Sequence, residues 1–245
     1  YEIAQCLVGS EMCIRDSVST DHKNVQCSVN PRFNREKRVP LILPVTGHPK
    51  HLVIVGGGPA GITCALTASR RGHQVTLLEK EPVLTGKLNI ACHGEHKADL
   101  RRFRDYLLTQ LRKSSVTVHT GVLADTDVVR DLKPDALVIA VGATPSRIPL
   151  PGVDGDNCIQ ISEFLQSPDT SLQHYIIIGG GSVGCETALD LAEKGKDVSI
   201  IEMADCLASA SNDLYRLALS EHFARYDNLH TCLLYTSPSP RDTER

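Results

Sequence analysis

HLVIVGGGPAGITCALTASRRGHQVTLLEK, residues 51–80, is the stretch on which the fold turns. An apolar run, Leu52 to Val55, meets Gly56-Gly57-Gly58-Pro59-Ala60-Gly61, and a helical stretch follows from Ile62 to Arg71. Gly72 ends that stretch as a C-cap, and Val75 to Leu78 predicts the next strand. Strand, glycine turn, helix and strand together make a β-α-β unit.

The pattern then recurs. Tyr175 to Ile178 is a second apolar run, Gly179-Gly180-Gly181-Ser182-Val183-Gly184 the second turn, and Cys185 to Lys194 the second helix. Gly195 ends it, and Val198 to Ile201 returns as a strand. The two copies lie 123 residues apart, and in both the first glycine precedes an acid by 23 residues, Glu79 and Glu202. A lone GxGxxG carries little, but a strand before, a helix after and an acid at the next strand's end form the context that a dinucleotide site requires.

Each position has a physical reason. Gly56 and Gly179 allow the tight strand-to-helix turn. Gly58 and Gly181 lack a side chain, so the backbone can approach a pyrophosphate, and Gly61 and Gly184 let helix and strand pack closely. Phosphates then meet the positive dipole and unpaired amides of a helix N-terminus, from Ala60 after Pro59, which itself has no N–H, and at Ser182-Val183. Glu79 and Glu202 would accept hydrogen bonds from an adenosine ribose diol. A carboxylate there repels a 2′-phosphate, so Glu202 favours NADH over NADPH. Two such sites imply two dinucleotides, read as FAD plus NADH (or NADPH).

Outward from these units, apolar residues Leu100, Phe103, Tyr106, Leu107 and Leu111 share one face of a helix predicted over Asp99 to Arg112. Val116 to Val118 and Leu137 to Val141 read as further strands, the second stopped by Gly142. The fold class expected is α/β, with two Rossmann-like dinucleotide-binding domains, the NAD(P) domain inserted in the FAD domain. The division places a linker at 18–50, the FAD-binding domain at 51–150, an interdomain connection at 151–170 and a partial NAD(P)-binding domain at 171–231.

The 245 residues carry a net charge of −3 with 41% hydrophobic and 22% charged positions, which excludes the disordered and fibrous classes. No apolar run is long enough for a membrane span, and no basic run suggests nucleic acid. Nine cysteines without a CxxC read as scattered thiols of a reducing, cytoplasmic compartment. Oligomeric state is left open.

The ends read differently. YEIAQCLVGSEMCIRD at the start and CLLYTSPSPRDTER at the finish resemble translated sequencing adapter. Glu11 to Asp16 back-translates to GAG ATG TGT ATA AGA GAC, and the closing stretch to the opposed copy. Residues 1–17 and 232–245 are therefore expected to be foreign to the protein, and the remainder a fragment truncated at both ends.

With these motifs in view, the chain resembles the flavoprotein reductases with two dinucleotide-binding domains, whose first GGGPAG unit holds FAD and whose second holds NAD(P)H. ALVIAVG, 136–142, is similar to that family's second flavin segment, with Val141 in place of the usual threonine. NVQCSVNPRFNREKR through GHPKHLVIVGGGPAG, together with GCETALDLAEKG and VSIIEM, narrows the resemblance to the iron–sulfur flavoenzymes related to old yellow enzyme. The resemblance implies a preceding barrel with FMN and a 4Fe-4S cluster, Cys27 as the last cluster ligand, and a small enoyl or enone substrate. It also implies a flavin contact at Lys87, although Thr85-Gly86-Lys87 stands where relatives show Gly-Gly-Gln. No catalytic acid or base is assigned in this chain, and the fragment alone is expected to be inactive. His93 and His96 read as loop histidines, and Cys64 and Cys185 as small packing residues. Two alternatives stand beside this reading: a stand-alone thioredoxin-reductase-like reductase, which needs a redox cysteine pair, and an ADP-binding structural module.

Overall fold

The computed structural model describes residues 30, 32–33, 35–92, 97–211 and 213–234. Cys27, His93 and His96 lie outside the described residues, as do most of the two adapter-like ends. The chain divides into two compact units, one over Glu36–Gln166 and one holding the described residues from Ser167 onward.

In the first unit, β1 (His51–Val55), β2 (Gln74–Glu79), β3 (Thr117–Thr120) and β4 (Ala136–Ile139) form a four-stranded sheet in the order β3-β2-β1-β4. Every pairing is parallel, with Ile54 beside Leu77 and Val138. Helix α1 (Pro59–Arg70) crosses between β1 and β2, and α2 (Leu88–Ala91) and α3 (Ala98–Arg112) between β2 and β3. Ile54, Val75 and Leu77 meet Ile62, Ala65 and Leu66 of α1 and Leu107 and Leu111 of α3 in one buried cluster. Parallel strands joined by helical crossovers need such a covered face, which is why central β1 reads as the apolar run Leu52 to Val55 while edge strand β3, Thr-Val-His-Thr, does not.

Two expectations shift here. Tyr106 is exposed, so the buried stripe of α3 is Leu107 and Leu111 with Leu100 and Phe103 partly covered. The strand expected through Val141 ends at Ile139, because its partner β1 stops at Val55, where the chain turns into Gly56. A short helix, α4 (Thr126–Asp131), escaped the periodicity. Asp125 caps it, its Oδ1 accepting from the amides of Asp127 and Val128 at 3.0 and 2.9 Å. A further short helix is α5 (Ile161–Phe164).

The second unit repeats the arrangement with β5 (His174–Ile178), α6 (Ser182–Glu193), β6 (Asp197–Ile201), α7 (Asp213–Phe223) and β7 (Leu229–Cys232). Its sheet runs β5-β6-β7, again parallel. Val198 and Ile200 are buried under α6, beside Cys185, Ala188, Leu191 and Ala192. The other face of β5 leaves Ile176 and Ile178 exposed. No helix among the described residues is long and apolar enough to cross a membrane.

Candidate functional site

At the C-terminal end of β1 the chain enters the first glycine turn. The Gly56 amide donates to the Leu78 carbonyl at 2.8 Å, and φ of +110° at Gly56 is open only to glycine. A Cβ there would also overlap the carbonyl of Ala140, just past β4. Gly61 is set by close approach, since a Cβ on it would overlap the carbonyl oxygen of Gly56. Gly58 differs: nothing lies within 4 Å of where its Cβ would be. This open space faces the start of α1, where Pro59 and Ala60 open the first turn, no side chain caps it and no acid occupies it. The first-turn amides are thus left for a partner from outside the helix, and an anion suits both their geometry and the dipole.

The acid is held, not free. Glu79 is only 7% exposed, its Oε2 accepting from the Gly57 amide at 2.6 Å and its Oε1 from the Glu81 amide at 2.9 Å. Each oxygen keeps a second lone pair, so the carboxylate can still accept from a diol.

The second turn copies the first contact for contact. Gly179 donates to Ile201 at 2.9 Å, Gly180 to Glu202 Oε2 at 2.6 Å, and Ala204 to Glu202 Oε1 at 2.8 Å. A Cβ on Gly184 would overlap the Gly179 carbonyl, while Gly181 again faces open space before Ser182 and Val183. One difference is visible. Nothing approaches the Gly179 position, because β5 has no neighbour equivalent to β4 among the described residues.

The structure adds residues that the motif did not single out. Gly57 and Gly180 are crowded too, by side chains rather than backbone, with Leu84 and Leu207 pressed where a Cβ would go, at 2.6 and 2.5 Å. The loop after each acid folds back over the turn. The Thr85 amide donates to Gly57 O and the Ala208 amide to Gly180 O, both at 2.7 Å. Thr85 and Ala208 both adopt positive φ, +76° and +49°. For a buried β-branched residue that conformation is strained, and the Thr85 hydroxyl is held by Asn89 Oδ1 at 2.7 Å. Leu84 and Leu207, like Thr85 and Ala208, keep the 123-residue offset of the glycines. That offset was the signal that could have found them.

Of the other expected site residues, Lys87 is exposed and follows Gly86, whose Cβ would lie 3.5 Å from Gly58 Cα. Gly142 is exposed beyond β4, with φ of +74°. Among the described residues no group of His, Cys, Asp and Glu is arranged to hold a metal ion.

Backbone donors govern the electrostatics. The amide of Ala204, with those of Gly180 and Met203, holds the Glu202 carboxyl below its ordinary value, against the opposing effect of its partial burial. A carboxyl depressed in the folded state adds stability that is fully present above the unfolded value, about 4.3, and is lost as pH falls through the folded one. The second unit is therefore expected to hold its unfolding midpoint from neutrality to about pH 5 and to weaken below it. A Glu202→Gln chain should show a flatter profile over the same acid range in urea titrations.

Cys185 is fully buried, its Sγ donating to Gly180 O at 3.2 Å, and burial pushes its thiol up to about 11. It should resist alkylation at pH 8 in the native protein while exposed Cys158 reacts, as mass mapping after iodoacetamide would show. Equal labelling of the two would contradict the buried placement.

Residues 50–227 match the sequence profile described as pyridine nucleotide-disulphide oxidoreductase. The chain belongs to that family. It is 36% identical to an NADH oxidase of Thermoanaerobacter brockii, over 91% of this chain and 35% of that protein. It is 32% identical to a bilirubin reductase of Mediterraneibacter gnavus, over 91% and 34%. Among solved structures, a 2-naphthoyl-CoA reductase complex superposes with a TM-score of 0.79 at 27% identity, covering 86% of this chain and 32% of that one. The chain thus spans about a third of the length of these relatives. The α/β Rossmann-like class and the resemblance to the old-yellow-enzyme-related flavoenzymes are both borne out. The family's name mentions a disulfide, yet the described cysteines Cys64, Cys92, Cys158, Cys185, Cys206 and Cys232 are all free and no two stand as CxxC.

Proposed function

We propose that this chain is the electron-input part of an NADH-dependent flavin oxidoreductase. Gly56, Gly58, Pro59, Ala60, Gly61 and Glu79, with Lys87 and Gly142, would hold FAD. Gly179, Gly181, Ser182, Val183, Gly184 and Glu202 would hold NADH. The observation that carries the reading is the duplicated turn. In each copy the acid is locked to the middle glycine's amide, the third glycine faces open space, and the helix start is left without cap or acid.

Bound FAD supplies an acceptor for the hydride that NADH gives up, and the chain's own part is to place and charge-balance both. The first-turn amides of α1 and α6 neutralise diphosphate, and Glu79 and Glu202 anchor the two ribose diols. With Glu202 at the ribose and no cation from Met203 to Ser209, a 2′-phosphate has no partner there. NADH is expected to bind at least about tenfold more tightly than NADPH, and parity between the two would remove Glu202 from the role.

For the whole protein, the bilirubin reductase and 2-naphthoyl-CoA reductase relatives, and a cinnamate reductase of Clostridium sporogenes at 32% identity, support an enoyl- or enone-type substrate. The CSVNP-like segment at Cys27 supports a 4Fe-4S link to FMN there, and the unpaired cysteines a cytoplasmic setting. The test is the cofactor itself. The purified chain should carry or take up one FAD, identified by absorbance and mass. A chain that binds only ADP would favour the structural-module reading.

A further inference from the structure

The loop that covers the first turn is anchored at one end and strained in the middle. Its far end is α2, which Leu88 and Cys92 sink into the cluster of Ile54 and Ile62. Its near end lies on the glycine turn. Leu84 presses on Gly57, the Thr85 amide donates to Gly57 O at 2.7 Å, and a Cβ on Gly86 would lie 3.5 Å from Gly58 Cα. Between the two ends Thr85 is fully buried with φ of +76°, a conformation that a β-branched residue keeps only where its surroundings hold it. The holder is Asn89, the second residue of α2. Asn89 Nδ2 donates to Leu84 O at 2.8 Å, which leaves the single proton of the Thr85 hydroxyl for Asn89 Oδ1 at 2.7 Å. One amide side chain thus serves both residues that touch Gly57. In the second unit Ala208 makes the same backbone bond to Gly180 with no hydroxyl to be held.

We infer that Asn89 is a positioning residue for the first dinucleotide: by pinning strained Thr85 it keeps the Leu84–Gly86 loop closed on the glycine turn and slows departure of the bound diphosphate. This rests on the reading of the first turn as the FAD site. Gly58 and the start of α1 face open space, and Gly86 forms one wall of it. Without the pin, Thr85 relaxes toward negative φ, where its side chain is unstrained. That rotation carries the Thr85 amide off Gly57 O and Gly86 away from Gly58, so the wall opens and water reaches the diphosphate. The effect passes through the backbone of the loop. A glycine at position 85 would take the same φ without strain, so the pin matters because the residue there is threonine.

FAD release from the full chain is followed by flavin fluorescence in the wild type, Asn89→Ala, Thr85→Gly, the double variant and Thr85→Val, with urea unfolding of each flavin-free chain beside it. Asn89→Ala is expected to release FAD about tenfold faster. Thr85→Val removes only the hydroxyl donor and leaves α2 intact; it should do the same, and it decides the matter where Asn89→Ala fails to fold. Thr85→Gly alone should change the rate less than about threefold. Added to Asn89→Ala, it should bring release back to within about threefold of the wild type. A role for Asn89 confined to the stability of α2 would not be repaired by a glycine four residues away. Should the double variant release FAD as fast as Asn89→Ala, or should Asn89→Ala and Thr85→Val both keep the wild-type rate, the inference is overturned while the FAD site stands. A wild-type chain that takes up no FAD would overturn the site assignment, and this inference with it.

Discussion

A Gly61→Ala chain is expected to lose about 3 kcal/mol or more of the first unit's stability together with its FAD, whereas Gly58→Ala should lose FAD alone. The two residues sit three apart in one turn, and the difference lies in what a methyl group would meet. At Gly61 it would overlap the Gly56 carbonyl oxygen, which is backbone and pinned between β1, β2 and the end of β4. No rotamer change relieves that contact, so α1 must move away from the sheet and open the cluster around Ile62 and Ala65. At Gly58 a methyl meets nothing within 4 Å, and the backbone is extended (φ −75°, ψ 179°), a conformation alanine adopts freely. The folded chain should tolerate it within about 0.5 kcal/mol. The methyl instead occupies the space through which a pyrophosphate approaches, and FAD affinity should fall about a hundredfold. Urea unfolding and flavin titration on both variants check the pair. Should Gly58→Ala bind FAD normally, the open space before α1 is not the phosphate site.

How much of this was legible in the sequence follows from what each residue is doing. Parallel strands that meet helical crossovers carry apolar runs, so Leu52 to Val55 and Tyr175 to Ile178 could be read directly, although Ile176 and Ile178 stand exposed on one face. Glycines forced by backbone overlap, such as Gly61 and Gly184, recur at fixed spacing for the same reason. Gly57 and Gly180 were passed over because their crowding comes from Leu84 and Leu207, which belong to a loop with no periodic pattern. Within that loop the positive φ at Thr85 hid behind a residue type that rarely adopts it. Helix α7 and strand β7 were missed for a different reason. Among the described residues α7 buries only Leu219, and a helix that covers so little carries little amphipathic signal. Tyr106 was placed one step too far around α3, since a long side chain at the margin of an apolar stripe can point either way. Cys27 rests on resemblance alone, because its surroundings lie outside the described residues.

The paired acids give the second large effect, and burial separates them. Glu79→Ala removes the acceptor for two backbone amides, Gly57 and Glu81, in a site where the residue is only 7% exposed. The Gly57 bond is buried and the Glu81 bond partly so, and an unsatisfied buried donor costs about 1–3 kcal/mol. The first unit should therefore weaken by about 2–4 kcal/mol and release its FAD. Glu202→Ala removes the same two bonds, from Gly180 and Ala204, but Glu202 is only half-buried. Solvent replaces the lost acceptor, so the second unit should remain folded while NADH binding weakens and its preference over NADPH collapses. Loss of cofactor without loss of structure in Glu202→Ala, set against loss of both in Glu79→Ala, is the pattern to measure by urea unfolding beside flavin and NADH titration. Equal destabilisation by the two would mean that the carboxylates are structural struts of the turns and that neither acts chiefly through a ribose.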